Sequence, residues 1–278
     1  MTLKNLLVHL DDSPACAGRL AVAIDLAQAY EAHLTGLYVA VDPILPGGMR
    51  GEIPVQFLTA LEEQTEQRAQ AVMERFTKAV EKSGLTTDSR TARGPVVQVA
   101  DIVSLHARYA DMVILGQPEP EPARDVDSHL AENVILSSGR PALVVPYIGA
   151  GKSLGQRVLV AWDAGREAAR AVNDALPFLR RADKVAVLVL SPHKGDHGPE
   201  PGADIALHLA RHGVRAEAQH LDAGDLSVAN ALLSRLVDLD IDLLVMGAYG
   251  HSRLREWVLG GVTREIFRQM TVPVLMSR

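Results

Sequence analysis

Cysteine occurs once in the 278 residues, at Cys16, so no disulfide can form within the chain and a reducing compartment is the natural fit. Excess positive charge is missing as well. The formal balance is −6, which leaves no electrostatic footprint for nucleic acid or an anionic membrane surface. No apolar run reaches the length needed to cross a bilayer. The start, Met1–Thr2–Leu3–Lys4, runs straight into a strand-like segment without a signal-peptide profile, so a soluble cytoplasmic protein is expected. A Walker-type phosphate loop is also lacking. Gly151–Lys152–Ser153 invites that reading, but Pro146 stands where the motif needs glycine, and Arg157–Trp162 beyond it reads as strand, not helix.

What is present is apolar material, 47% of the chain, enough to bury a full core, and it is arranged twice over. Leu7–Val8–His9–Leu10–Asp11 corresponds to Leu159–Val160–Ala161–Trp162–Asp163: a short strand ending in an acid, then helix-start residues. The helices that follow bury Leu20, Ile24 and Ala27 in one copy and Ala168, Val172, Leu176 and Leu179 in the other. Strand-like runs come next at Leu34–Val41 and Val185–Leu190, then weaker ones near Thr86–Thr91 and Val214–Leu221. Amphipathic helices are expected over Val96–Tyr109 and Leu226–Leu239, leading to Asp111–Gly116 and Asp242–Gly247. Both copies close on a strand opened by proline, Pro141–Val145 and Pro273–Met276.

Alternating strands and helices imply right-handed crossovers and a mostly parallel sheet. The chain therefore reads as α/β, two tandem doubly wound domains of about five strands each. Residues 1–148 form one and 155–278 the other, separated by the glycine-rich linker Ile148–Gly155. The copies differ by an insertion. Asp42–Phe57 is a proline- and glycine-punctuated loop leading into a helix from about Leu58 to Lys82; a surface excursion is favoured over a lid or partner contact.

The candidate site lies where Ile241–Met246 ends in Gly247 and Gly250, with Gly260–Gly261 following and a helix beginning nearby through Val262, Ile266, Phe267 and Met270. Strand, glycine loop and helix amino terminus together hold phosphate, because residues without Cβ let backbone amides approach an anion. The matching loop of the first half, Gln117–Asp127, has three prolines and four carboxylates, which remove donors and repel phosphate. In the second loop His251, Ser252, Arg253 and Arg255 supply donors; for the arginines a solvated loop face is the equal alternative.

Gly247-x2-Gly250-x9-Gly260, with the ending Val272–Pro273–Val274–Leu275–Met276, resembles the carboxy-terminal signature of the universal stress protein family. ATP-binding members have Ser or Thr after the last glycine. Gly261 stands there instead, which removes one hydroxyl ligand and keeps the backbone donor. The resemblance implies an adenine nucleotide α hydrolase-like fold and ATP, or a related adenine nucleotide, bridged by Mg²⁺ in the second half. It places Ala161, Asp163 and Leu190 around adenine and ribose, and the glycine signature, Gly247, Gly250, Gly260 and Gly261 with Met246, Val262 and Thr263, around the phosphates. By their own chemistry His251 or Arg253 could reach the phosphate oxygens as charge-assisted donors. A helix-capping role for Asp163 is compatible with this, and for Asp11 capping is the preferred account.

The resemblance further implies that the last strands, at Val144–Val145 and Val274–Leu275, pair within the chain as they do between subunits of family dimers. Further self-association into a homo-oligomer is expected by the same analogy. No nucleophile–base pair or Walker-type lysine suggests efficient hydrolysis, so a ligand-responsive regulator is expected rather than an enzyme. The alternatives are a nucleotide-independent scaffold and a small-molecule carrier. His208 and His212, one turn apart with Asp204 before them and His193 and His197 nearby, have metal-like spacing but no completed ligand set, and the solvated reading is favoured. Cys16 reads as a packed residue rather than a reactive thiol.

Overall fold

The computed structural model describes residues 2–42, 54–118, 129–151, 153–190, 202–221, 227–249 and 261–278. The first half runs β1 (Asn5–Leu10), α1 (Cys16–Tyr30), β2 (His33–Val41), α2 (Val55–Glu81) and β3 (Thr87–Gly94). A 3₁₀ turn at Val96–Gln98 then leads into α3 (Val99–Ala107), followed by β4 (Met112–Gly116), α4 (Leu130–Ser137) and β5 (Ala142–Val145). The second half repeats the plan as β6 (Arg157–Trp162), α5 (Arg166–Leu179), β7 (Lys184–Leu190), α6 (Ala203–Arg211) and β8 (Ala216–Leu221). It ends with α7 (Val228–Asp238), β9 (Leu243–Gly247), α8 (Val262–Gln269) and β10 (Val274–Ser277).

Each half contributes five parallel strands, in the order β3-β2-β1-β4-β5 and β8-β7-β6-β9-β10. The inner strands are mostly apolar because both faces are covered, as in parallel sheets generally. Leu243 to Met246, for example, are all buried. The outermost strand β3 is polar and largely exposed, which suits an edge that must not pair further. One acid per half ties the start of the first strand to the fourth. Asp111 accepts the amides of Lys4 and Asn5, and Asp242 those of Gly155, Gln156 and Arg157.

The halves do not fold as separate sheets. β5 and β10 pair antiparallel, Val144 with Val274, Leu143 with Leu275 and Ala142 with Met276, giving one sheet of ten strands. With the copies aligned on Pro141 and Pro273, Leu143 faces its own counterpart, so a pseudo-two-fold axis passes between Leu143 and Leu275. The expected pairing of the last strands is therefore present. Helices cover both faces. α1, α2, α5 and α6 pack on one side and α3, α4, α7 and α8 on the other, and each core layer is continuous across the two halves.

The differences from expectation are local. The strand expected near Thr86–Thr91 extends to Gly94. Pro95 is extended, and the turn after it is 3₁₀ before α3 begins at Val99. The inserted helix starts at Val55, three residues before the expected point, and its buried stripe is Ala69, Val72, Phe76 and Val80.

On the α1–α5 side, Phe178 meets Tyr30 of the first half edge-on at 5.6 Å, and the Arg181 guanidinium lies 4.7 Å over the same ring. Phe178 is 2% exposed, so Phe178→Ala should cost about 3–5 kcal/mol in urea unfolding. A double-mutant cycle with Tyr30→Leu should return a coupling of about 0.5–1.5 kcal/mol. Additive effects would mean that this contact between the halves contributes nothing of its own.

Candidate functional site

In an open α/β sheet, ligands bind beyond the carboxyl ends of the strands where the strand order reverses direction. In the second half that point lies between β6 and β9. Ala161, near the end of β6, is buried and pairs in register with Met246 of β9 on one side and Leu188 of β7 on the other. Leu190 is the last residue of β7. Asp163 follows β6 directly and is exposed. One carboxylate oxygen, Oδ1, accepts the amide of Gly165 at 2.8 Å, across Ala164 in the left-handed region at φ 57°. Gly165 itself is the N-cap residue of α5, so Asp163 shapes the turn into the helix without being its cap.

Gly247 ends β9, and its lack of a side chain has a specific cause. A Cβ there would lie 2.5 Å from the amide nitrogen of Ala168 and 2.7 Å from the Glu167 carbonyl carbon. The first turn of α5 thus rests on this glycine. Beyond β9, Gly261 is the N-cap of α8 with extended backbone, and its carbonyl accepts the amides of Arg264 and Glu265 at 3.0 and 3.2 Å. The preceding amides, of Val262 and Thr263, come before the first intrahelical bonds, so helix geometry leaves them for a ligand, a side chain or water. Thr263 is 2% exposed and Val262 half-buried. Gly250, His251, Arg253 and Gly260, expected in the same loop, lie outside the described residues. The structure therefore joins Ala161 with Met246 and sets Asp163 and Gly247 at the ends of neighbouring strands. Gly261, Val262 and Thr263 open the helix that follows.

The equivalent point of the first half lies between β1 and β4 and is filled. With Asp11 aligned on Asp163, His9 takes the place of Ala161 and Arg19 that of Ala171. Arg19 is 3% exposed and donates from Nη2 to Asp11 Oδ2 at 2.6 Å. Its Nη1 lies where a Cβ on Gly116 would be only 2.1 Å away, so the guanidinium occupies the crevice against the end of β4. Its Nε finds no hydrogen-bond partner among the described residues. Asp11 also accepts the Ser13 amide at 3.0 Å and its hydroxyl at 2.6 Å. The expected capping role is therefore not what Asp11 plays: the N-cap of α1 is Ala15 with no side-chain cap, and Asp11 shapes the turn before it while pairing with Arg19. Gly116 and Gly247 are equivalent glycines kept for different reasons, one to admit an arginine and the other a helix turn.

Sequence reasoning missed Arg19. The available signal was an arginine inside a buried helical stripe, three residues after Cys16 and four before Ala23, both also buried. Burial alone would raise the Asp11 carboxyl, but the charges of Arg19 and His9 and the bonds from Ser13 and Arg19 hold it below its ordinary 3.8. His9 is pushed down to about 4, chiefly by burial and further by Arg19, with Asp11 opposing. Elsewhere, the His208 and His212 rings lie 4.7 Å apart, and the Arg180 guanidinium contacts Nδ1 of His212. His193 and His197 lie outside the described residues. Among the described residues no group of three or more His, Cys, Asp or Glu side chains is placed to hold a metal ion, and no helix is long and apolar enough to cross a membrane.

Known proteins share this architecture. The model of the universal stress protein family matches residues 2–146 and again 155–278. A curated relative, a universal stress protein of Synechocystis, is 30% identical over 177 residues, covering 60% of this chain and 58% of that protein. The matched region thus spans less than two thirds of the relative's length. Among solved structures, a universal stress protein from Archaeoglobus fulgidus superposes with a TM-score of 0.74 at 18% identity, covering 100% of this chain and 97% of its own. A putative universal stress protein from Pseudomonas aeruginosa gives 0.62 at 13% identity, covering 99% and 93%. At such identities the likeness is one of fold.

The buried imidazole makes stability depend on pH. The unfolded chain binds a proton on His9 below its ordinary 6.5, whereas the folded chain refuses it until about 4. Stability should therefore fall as pH falls through that window, by on the order of 3 kcal/mol. Asp11 works in the same direction, but only below 3.8. His9→Ala, which copies Ala161, should flatten the slope of unfolding free energy between pH 6.5 and 4, whatever its effect on the absolute value. An unchanged slope would show that His9 is solvated.

Proposed function

The chain belongs to the universal stress protein family, and from that premise we propose that its second half holds ATP or a related adenine nucleotide as a ligand-responsive regulator. The observation that supports this most is the contrast between the two carboxyl edges. Arg19 fills the first, whereas the second has alanine at both positions that take His9 and Arg19 in the first, an exposed acid at Asp163, and a helix α8 whose first amides, of Val262 and Thr263, precede its intrahelical bonds. In this reading Asp163 takes a ribose hydroxyl, with Ala161 and Leu190 beside the base. The backbone from Gly247 to Thr263 cradles the phosphates, whose oxygens are bridged by Mg²⁺.

Turnover is slow and incidental. A short helix amino terminus stabilises bound and reacting phosphate alike, and uniform binding of that kind does not accelerate chemistry. Cys16, buried at the start of α1, fits a reducing compartment such as the cytoplasm.

Calorimetric titration of the full chain with ATP and Mg²⁺ should give one nucleotide per chain. Gly261→Ser restores the hydroxyl of the family pattern and should tighten binding by roughly one hydrogen bond, about 1 kcal/mol or fivefold in Kd. Absence of binding would sink the nucleotide reading in favour of the scaffold. Two nucleotides per chain would refute the assignment of the site to one half.

A further inference from the structure

Gln117 follows β4 directly, is 6% exposed and belongs to the half whose own crevice is filled. Its side chain nevertheless has two backbone partners. Nε2 donates to the carbonyl of Phe267 at 2.6 Å, and Oε1 accepts the amide of Tyr147 at 3.1 Å. The first of these bonds reaches 150 residues along the chain, into the last turn of α8. Its acceptor is where a helix end needs help. Met270 still donates to Ile266, but the helix stops at Gln269, so the Phe267 carbonyl is the next one in line and has no helical donor.

A second contact between the halves acts on the first turn of the same helix. Arg264 lies 3.6 Å from the largely buried carboxylate of Glu132 on α4. Under the alignment on Pro141 and Pro273 these two residues are counterparts, facing each other near the pseudo-two-fold axis with opposite charges. The Gln117 hydrogen bond, by contrast, is not mirrored at its own equivalent position. Gln117 and Ala248 are equivalent, since each donates its amide to the last strand of its own half, to Val145 at 2.8 Å and to Ser277 at 2.9 Å. Ala248 has no side chain that could reach back to α4.

We propose that Gln117 is a positioning residue for the ligand site of the second half. By holding the last turn of α8 from the first half, it fixes where the amides of the first turn point. This rests on the nucleotide reading of that site, although the clamp itself does not. α8 has eight residues, too few to be stable alone, so contacts from outside decide its position. Within its own half it is held by buried Ile266 and Phe267 and by the Ser227 hydroxyl donating to Glu265 at 3.0 and 3.1 Å. Removing the donor from Phe267 leaves a buried carbonyl unsatisfied and frees the helix to tilt.

Two measurements on the full chain test this. Gln117→Leu should raise hydrogen–deuterium exchange at the α8 amides by about tenfold, leave α7 unchanged, and weaken ATP binding by about tenfold. Unchanged α8 exchange would overturn the clamp. Faster exchange with intact ATP affinity would overturn positioning and leave a purely structural contact. A wild-type chain that binds no ATP would overturn the nucleotide reading, and with it the positioning of a phosphate, while exchange would still uphold or refute the clamp.

Should Gln117→Leu fail to fold, Gln117→Glu keeps the shape. Its ionised carboxylate cannot donate to Phe267, whereas the protonated form can, and burial raises the pH at which the proton is held. ATP affinity of Gln117→Glu should then recover towards wild type as pH is lowered from about 8 to about 5. Parallel pH profiles for variant and wild type would refute the proposal.

Discussion

The antiparallel contact of β5 with β10 organises the molecule. Each half alone would end in a flat, apolar edge, Ala142–Val145 or Val274–Met276, of the kind that pairs with any available sheet. Pairing the two edges buries both and makes ten strands continuous. It also forces counterparts to face each other, Leu143 against Leu275 and, on the α4–α8 side, Glu132 against Arg264. In a dimer of identical subunits a residue near the axis meets itself, so a charge there meets its own sign. Within a single chain the two copies are free to differ, and an acid can face an arginine.

That freedom extends to the two carboxyl edges. Placing Arg19 in the first crevice creates a chain of dependencies. The buried guanidinium requires Asp11 as counter-ion, and the lie of its Nη1 requires Gly116 to remain glycine. His9, packed beside the pair with Nδ1 3.9 Å from Asp11, stays neutral because a second buried cation next to Arg19 would be costly. None of these demands exists where Ala161 and Ala171 stand, and there the acid at the end of the strand remains at the surface. Filling one crevice with charge and leaving the other lined by alanine are thus alternative solutions on one backbone.

The repeat, the strand sequence and the pairing of the last strands were legible because they rest on local periodicity and on the matched proline-initiated endings. Strand β3 reads weakly because an exposed edge lacks the apolar alternation that marks a buried strand, so its extension to Gly94 leaves no periodic mark. The site was legible as a list of glycines but not as reasons for them. Gly247 looked like part of an anion loop, and its immediate neighbour is the backbone of α5. Asp11 reads as a cap because the first half lacks a phosphate loop for it to serve, whereas Arg19 is placed against it only once α1 is folded onto β4. The bond from Gln117 to Phe267 depends on the two halves sharing one sheet and leaves no mark in either local pattern.

A consequence for how such a tandem works follows from the unequal reach of Gln117 and Ala248. In a symmetric pair each half would brace the other's helix, and loosening either brace would affect both sites alike. Here the brace runs from the half whose crevice holds Arg19 to the half where Ala161 and Ala171 stand, and Ala248 at the equivalent position has no side chain to return it. The filled half contributes stiffness: its crevice is closed by an ion pair that needs no ligand, so the strand end bearing Gln117 does not depend on whether anything is bound there. A helix of eight residues takes its position from whatever surrounds it, and a permanently closed neighbour is a steadier support than one that opens and closes with its own ligand. On this argument the ion pair that fills the first crevice also steadies the support of α8.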